Sequence, residues 1–444
     1  MNTQKWHAHA TIWRLRPAAV RRAAALIGCT ALVLTVTGTT AEARPRELAR
    51  QTLAAGDGWA SEGTGTTGGS AAAAARVSTV TTWAEFKAAL AAGGGAPKII
   101  KVRGTIDANA DGCDSFAAPG YDFAQYLADY DPAVWGYDQV VSGEQEDLRA
   151  ASAANQDTAM KAFVPGNTTI VGIGRNAGFK GASLQIKGVD NVIVRNLSFE
   201  SPLDCFPQWD PTDGDTGNWN SEYDSAVVYG ATHVWLDHNT FTDGDHPDSS
   251  LPTYYGRIYE QHDGELDIVR GADYVTASWN VFADHDKTIL IGNSDSASTA
   301  AVDRGHLRTT LHHNLFTGLV ERAPRVRFGQ VDSYNNHFVA DSSYGYSYGI
   351  GMESRLVAEH NAFTLPDSVS PALVLKKWKE APLTATDNYV NGVRTDLIAV
   401  HNAEIPAETL QSGAGWTPVL RTRVDPPRAV PGIVDHRAGA GRIC

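Results

Sequence analysis

Six stretches of the chain alternate apolar and polar positions, run into an asparagine and reach an aromatic residue shortly after it. They are Asp190–Phe199 (DNVIVRNLSF), Thr232–Phe241 (THVWLDHNTF), Asp273–Phe282 (DYVTASWNVF), Leu307–Phe316 (LRTTLHHNLF), Val331–Phe338 (VDSYNNHF) and Arg355–Phe363 (RLVAEHNAF). Each opens as a period-two run rich in Val, Thr, Trp or Tyr, which is a strand signature. The asparagines at 196, 239, 280, 314, 336 and 361 are spaced by 43, 41, 34, 22 and 25 residues. The two shortest spacings suit one turn of a parallel β-helix, and the longer ones suit turns that carry insertions. Equivalent asparagines then lie one strand spacing apart, ~4.8 Å, so their amides can bond up a ladder while the following Phe side chains stack inside. An all-β parallel β-helix is therefore expected, with long loops on one face, because stacking rather than any single turn makes the core. Short strands with Asn-containing turns also build propellers and sandwiches, and six hits at uneven spacing are not a strict period.

The margins read as caps and insertions. Residues 56–75 are rich in Gly, Thr, Ser and Ala and read as an extended or loop segment. From Thr82, TWAEFKAALAA offers a capping residue and apolar positions Phe86 and Leu90, the pattern of a short helix. Such a helix can cover the open end of a solenoid, which would otherwise template aggregation. Strands begin at Pro97–Ile106. Residues 121–162 interrupt the strand pattern and look partly helical. The tail from Pro366 lacks clean repeats, so it packs along the solenoid or caps its far end.

Residues 1–43 carry Lys5, Arg14, Arg16, Arg21 and Arg22, then an apolar run over 23–36, then the small-x-small pattern Ala41-Glu42-Ala43. This predicts a secretion signal over 1–43, a linker over 44–55 and a single extracellular domain over 56–444. The apolar run is a poor membrane span, and no later stretch approaches ~20 apolar residues. Leu26-Ile27-Gly28-Cys29 mimics a lipoprotein box, but few apolar residues precede Cys29 and many follow it. The 444 residues hold 37 Lys+Arg against 50 Asp+Glu, a net charge of −13. Removing 1–43 takes away five basic residues and one acidic, leaving 32 against 49 and a charge of −17. That balance argues against a nucleic-acid partner. Three cysteines remain, Cys113, Cys205 and Cys444, so at least one is unpaired. Cys113–Cys205 is the preferred pair because both lie in the N-terminal half of the domain; no disulfide at all is the alternative.

Some motifs mislead and two carry chemistry. Gly172-Ile173-Gly174-Arg175-Asn176-Ala177 resembles a dinucleotide fingerprint, but further glycines and the alternating SLQI run follow where a helix is required. In Asp263-Gly264-Glu265-Leu266-Asp267, two carboxylates four apart can converge with Asp224 on a hard cation if Glu265 points elsewhere. Oxygen-only ligands suit Ca²⁺ rather than Zn²⁺; acidic loops are also ordinary solvated surface. Glu321–Arg327 (ERAPRVR) is the densest cationic cluster, with Lys287 in the previous turn. On a strand Arg325 and Arg327 face the same way, and Pro324 can bend the chain so that Arg322 joins them. The cluster is either a surface ion-pair patch or a site for a carboxylate-bearing ligand, whose geometry guanidinium forks match.

Taken in order, PGNTTIVGIG (165–174), NVIVRNLSFE (191–200), FPQWDPTDG (206–214), HVWLDHNTFTDG (233–244), YYGRIYEQHDGELDI (254–268), HDKTILIGNSDS (285–296), LHHNLFTGLVERAPRVRFGQV (311–331) and YNNHF (334–338) closely resemble the secreted pectate lyases of the polysaccharide lyase family that folds as a right-handed parallel β-helix. The likeness covers roughly residues 56–365. It implies Ca²⁺ held by Asp224, Asp263 and Asp267, Arg322 as catalytic base, and Lys287 and Arg327 holding substrate. Glu222, two residues before Asp224, is a further acidic candidate for substrate-associated calcium. Asp237, His238 and the His312-His313-Asn314 run look like acid–base groups but occupy repeat positions, which favours ladder roles. Trp209 and Trp219 are either sugar-stacking faces or buried packing.

The implied substrate is polygalacturonate, cleaved by elimination. Its C5 proton lies next to a carboxylate, and removing that proton builds negative charge there, which calcium and cationic side chains stabilise. The C4–O bond then breaks and leaves a 4,5-unsaturated sugar, without the paired flanking carboxylates that glycoside hydrolysis needs. An arginine base is expected to favour alkaline conditions, because its pKa is near or above 12.5 and nearby cations must lower it. Two rivals are a calcium-free pectin lyase acting on methylated polymer and a β-helix that binds acidic polysaccharide without cutting it. A capped solenoid needs no partner subunit, so a monomer is expected.

Overall fold

Alternating apolar residues allow three short strands per turn to share one interior. The computed structural model describes residues 47–443; the expected signal segment, with Cys29, and Cys444 lie outside the described residues. One strip of eight parallel strands comprises Lys161–Phe163, Ser183–Lys187, Ala226–Tyr229, Leu266–Val269, Ile289–Ile291, Arg325–Val326, Tyr348–Ile350 and Leu375–Lys377, stacked in chain order. A second strip includes Asp190–Arg195, Thr232–Asp237, Asp273–Ser278, Thr309–His312, Gln330–Tyr334 and Arg355–Glu359. A third includes Ser198–Glu200, Thr240–Thr242, Val281–Lys287, Leu315–Glu321, His337–Val339 and Ala362–Thr364. All these pairings are parallel, which is the expected β-helix and not the antiparallel sandwich or propeller.

The corner between the second and third strips locks the turns together. His238, Trp279, His313, Asn335, His360 and Asp387 adopt left-handed backbone there, with φ of 52–57°. The residues after them are Asn239, Asn280, Asn314, Asn336, Asn361 and Asn388. Along this column each Nδ2 donates to the next Oδ1 at 3.0–3.2 Å. Beside it, the rings of Phe199, Phe241, Phe282, Phe316, Phe338 and Phe363 stack at 4.6–5.1 Å. Asn196 is a correction to the expected ladder. It takes the left-handed position itself (φ 57°), and Leu197 stands in the column, its N–H donating to Asn239 Oδ1 at 3.2 Å. Asn196 Oδ1 instead accepts from the Gly441 N–H at 2.7 Å. The signal was that Phe199 follows Asn196 by three residues, where the other aromatics follow by two.

Both ends are closed. Helix Trp83–Ala91, capped by Thr82, lays Phe86 against Phe179 at 4.7 Å. At the other end the tail first makes another turn through Leu375–Lys377, Thr384–Thr386 and Asn388–Val390, then caps the core with helix Leu397–Glu404. It next runs back outside the solenoid, pairing Arg421 with Asp332 and laying helix Val430–Arg437 over Ala362. The tail thus both packs and caps. Residues 47–75 cover the second strip, where the Trp59 and Ala60 N–H groups donate to Thr310 and Thr276 at 3.0 and 2.9 Å. Gly69 permits this approach, since a Cβ there would lie 1.8 Å from the Lys98 carbonyl oxygen.

The first strip keeps an outward-facing row, Gln185, Val227, Asp267, Leu290, Arg325, Gly349 and Lys376, half-buried except for the buried Gly349. Beside it the insertion folds as helices Phe123–Asp129, Pro132–Trp135 and Glu144–Met160. A Cys113–Cys205 disulfide ties this region to the loops, as preferred from sequence. Trp209 and Trp219 are fully buried here among Tyr126, Tyr130 and Tyr259. They are packing residues and not sugar platforms.

Replacing Asn314 by Ala leaves the Asn280 N–H and amide without their shared acceptor (2.9 and 3.1 Å). Urea unfolding should register a loss of about 3 kcal/mol, the scale of orphaned buried polar groups. A loss below about 0.5 kcal/mol, within the scatter of ordinary surface changes, would show that the ladder is not structural.

Candidate active site

The corner that feeds the first strip brings the candidate residues together. Its backbone bonds run Ser225 N–H to Gly264 O (3.0 Å), Leu266 N–H to Thr288 O (3.1 Å) and Thr288 N–H to Glu321 O (3.2 Å). Asp224, Gly264, Lys287 and the Glu321–Arg322 pair therefore follow one another on successive turns. Asp267 lies just inside the strip, on the outward-facing row beside Val227 and Leu290. Arg322 sits in left-handed backbone (φ 61°), where the chain leaves strand Leu315–Glu321 for strand Arg325–Val326.

Gly264 is the pivot of the acidic side. Its N–H donates to Asp224 Oδ1 at 2.8 Å. A Cβ added there would lie 2.5 Å from Asp224 Oδ1 and 2.8 Å from Asp267 Oδ1, so two carboxylates converge on the hollow that the missing side chain leaves. Asp263 faces the cationic side, its Oδ1 3.8 Å from Lys287 Nζ. Glu265 turns inward and is fully buried, as convergence of its neighbours requires. Burial, then the charges of Asp267 and Asp263, pushes Asp224 well above the usual carboxylate range. Burial and Asp263 push Asp267 up to about 7. An all-oxygen set under like-charge repulsion fits a hard dication.

The cationic side is paired with acids that the motifs did not reveal. Lys287 Nζ contacts Glu260 Oε1 at 2.5 Å. Burial opposes its charge, but Asp263 and Glu260 outweigh burial and hold the ammonium above its ordinary range. Arg322 Nε donates to Glu321 Oε1 at 2.8 Å. Burial again opposes the charge, and Glu321, Asp263 and Asp267 overcome it, so the guanidinium is held above its usual value. That is the balance in the absence of a cation at the acidic set, where the carboxylates around Arg322 outweigh burial. Arg327 is clamped by Asp295 (2.7 Å) and the Gly292 carbonyl (2.8 Å). Lys287 and Arg322 line a cleft of about 480 Å³ with Asn218, Arg257, Glu260 and Asp286.

Glu222, two residues before Asp224, has an exposed side chain, and its backbone N–H donates to Asp204 at 3.2 Å. Two other candidates fall elsewhere. Asp237 is buried on the second strip, bonded to His238 and Ser278, while His313 meets Asp425 of the tail. These are structural contacts, as the repeat positions indicated. Gly172–Ala177 lies inside strand Thr168–Lys180, with no helix to receive a phosphate. Asp243, Asp248 and His262 form another tight acidic and histidine group. Both His262 ring nitrogens already face carbonyl oxygens, of Pro202 (2.9 Å) and His246 (2.8 Å). Asp243 is in turn engaged by His285 Nδ1 at 2.6 Å.

A family model described as pectate lyase matches residues 28–119 and 128–409. A pectate lyase of Bacillus subtilis (strain 168) is 43% identical over 417 residues, 91% of this chain and 96% of that protein. Pectate lyase E of Dickeya chrysanthemi is 41% identical over 347 residues, 77% of this chain and 74% of that one. The solved structure of the thermostable pectate lyase PL 47 superposes with a TM-score of 0.86 at 44% identity, covering 90% of this chain and 100% of that one. A pectate lyase bound to a hexasaccharide gives 0.84 at 42% identity, with the same coverage. By fold, sequence and the residues gathered at its open strip, the chain belongs to the pectate lyase family.

Proposed function

We propose that this pectate lyase acts outside the cell on α-1,4-linked polygalacturonate by calcium-dependent elimination, releasing 4,5-unsaturated oligogalacturonides. The observation that carries the reading is the convergence of Asp224 and Asp267 over Gly264, with Lys287 on the next turn and Arg322 on the turn after that. A methylated substrate has no carboxylate charge to neutralise and would not require that acidic set. Asp224, Asp263 and Asp267 are the residues that would hold calcium. When bound, the ion supplies positive charge at the uronate carboxylate, where removal of the C5 proton accumulates negative charge.

The remaining steps belong to the chain's own side chains. Lys287 and Arg327 hold substrate carboxylates, Arg327 with its guanidinium plane already fixed by Asp295 and Gly292. Arg322 takes the C5 proton, the electrons left behind form the C4–C5 double bond, and the C4–O bond breaks with its electron pair on the departing chain's oxygen, which takes a proton from water. Its carboxylate neighbours keep it protonated in the metal-free state. Neutralising Asp263 and Asp267 removes part of that hold, so loading of the acidic set and readiness of the base are coupled.

Incubation with polygalacturonate and Ca²⁺ should give ultraviolet absorbance from the new C=C bond, and a chelator should abolish it. Saturated ends, or full activity in chelator, would refute the reading. Arg322→Lys should lower kcat by about 10³-fold, within the range for loss of a positioned base, with polymer binding retained; unchanged turnover would remove Arg322 from that role. Gly264→Ala should weaken calcium binding at least about tenfold by calorimetry, since its methyl group intrudes between the ligands. Equal affinity would place the ion elsewhere. Because Arg322 must be deprotonated to act and a guanidinium ordinarily titrates far above neutral pH, kcat should climb with pH through the alkaline range. An optimum in mildly acidic buffer would contradict that assignment.

A further inference from the structure

Three arginines stand in the ERAPRVR segment, and the reading above employs only Arg322 and Arg327. Those two and Lys287 are each tied to a carboxylate, Glu321 (2.8 Å), Asp295 (2.7 Å) and Glu260 (2.5 Å) respectively. Arg325 is different. Among the described residues no carboxylate lies within ion-pair distance of it, and its Nε is buried without a hydrogen-bond partner. In a chain of net charge −13, an unpaired guanidinium on the outward face of the open strip is conspicuous.

The side chain is nonetheless held in place. Arg325 is registered against Leu290 on one side and Gly349 on the other, and Gly349 in turn against Lys376. The guanidinium crosses the Gly349 rung and lies 4.1 Å from the ring centre of Trp378, which is 40% exposed. Gly349 makes the crossing possible: a Cβ there would come within 3.0 Å of Arg325 Cγ and 2.9 Å of Tyr346 Cε2. Trp378 is itself fixed by its backbone N–H, bonded to Ile350 O at 2.9 Å. A guanidinium lying on an aromatic face keeps its in-plane N–H groups free, and that edge matches a carboxylate.

We infer that Arg325, oriented by Trp378, reads the carboxylate of a uronate unit bound two rungs from Asp267 toward the C-terminal turns, and so favours de-esterified over methyl-esterified polymer. The rung count follows from the register Asp267–Leu290–Arg325, a span of ~10 Å at one strand spacing per rung. Arg325 would touch the substrate; Trp378 is a positioning residue that acts through it. The inference rests on the polygalacturonate reading and adds a specificity determinant distinct from the proposed base and calcium ligands.

Steady-state elimination by the full chain with Ca²⁺ tests it, using polygalacturonate and partially methyl-esterified pectin. Arg325→Gln should raise KM for polygalacturonate about tenfold, the scale of one charge-assisted hydrogen bond, with kcat within about twofold. It should also shrink the preference for the de-esterified polymer. Trp378→Ala should shift KM in the same direction, Trp378→Phe should restore it, and Arg325→Gln combined with Trp378→Ala should be no worse than Arg325→Gln alone. Because Trp378→Ala leaves the arginine in place, it carries the test should the arginine variant fail to fold. Wild-type turnover with KM and methylation preference unchanged in the variants would overturn this inference alone. Absence of elimination by the wild type would overturn the reading beneath it.

Discussion

Hydrogen bonds between parallel strands hold successive turns ~4.8 Å apart, and that spacing obliges residues at equivalent corners to meet however distant they are in the chain. Asp224 and Arg322 are brought into one cluster through three rungs of backbone bonding, Ser225 to Gly264, Leu266 to Thr288 and Thr288 to Glu321. The Asn239–Asn388 column and the stacked phenylalanines keep those rungs in register from the other end of the third strip. Any slip by one residue would turn the outer row, Asp267 included, into the apolar interior.

That rigidity lets the site hold charges that would otherwise separate. Asp224 and Asp267 face each other across a glycine at the cost of mutual repulsion, visible as carboxyls pushed upward toward protonation. Across the same corner Lys287 and Arg322 are stabilised in their charged forms by Asp263, Glu260 and Glu321. The metal-free site is thus biased toward protonated acids and a protonated arginine. In the proposed reading a dication would reverse both biases with one binding event, linking metal occupancy to the chemistry of the proposed base.

Much of this was legible in the sequence, because a solenoid writes its fold as a repeat and its site as local motifs. Alternation ending in asparagine gave the turns, while DGELD and ERAPRVR held the acids and cations that later met. What escaped depended on register. Asn196 looks like a ladder residue until Leu197 is seen in the column, and the turn through Asn388 is hidden in a segment whose alternation is too short to stand out. Glu260 and Trp378 gain their meaning from rungs 27 and 53 residues away, at Lys287 and Arg325, and no local pattern marks either. Trp209 and Trp219 could be read as surface or core until the helices of the insertion were placed against them.

The most direct measurement follows the protons. Calcium titrated calorimetrically into the full chain near pH 7, in buffers of different ionisation enthalpy, reports how many are displaced on binding. With Asp267 raised to about 7 and Asp224 raised well above the usual carboxylate range, the account predicts that calcium binding releases protons. Calcium binding with no proton release, or no binding at all, would contradict it.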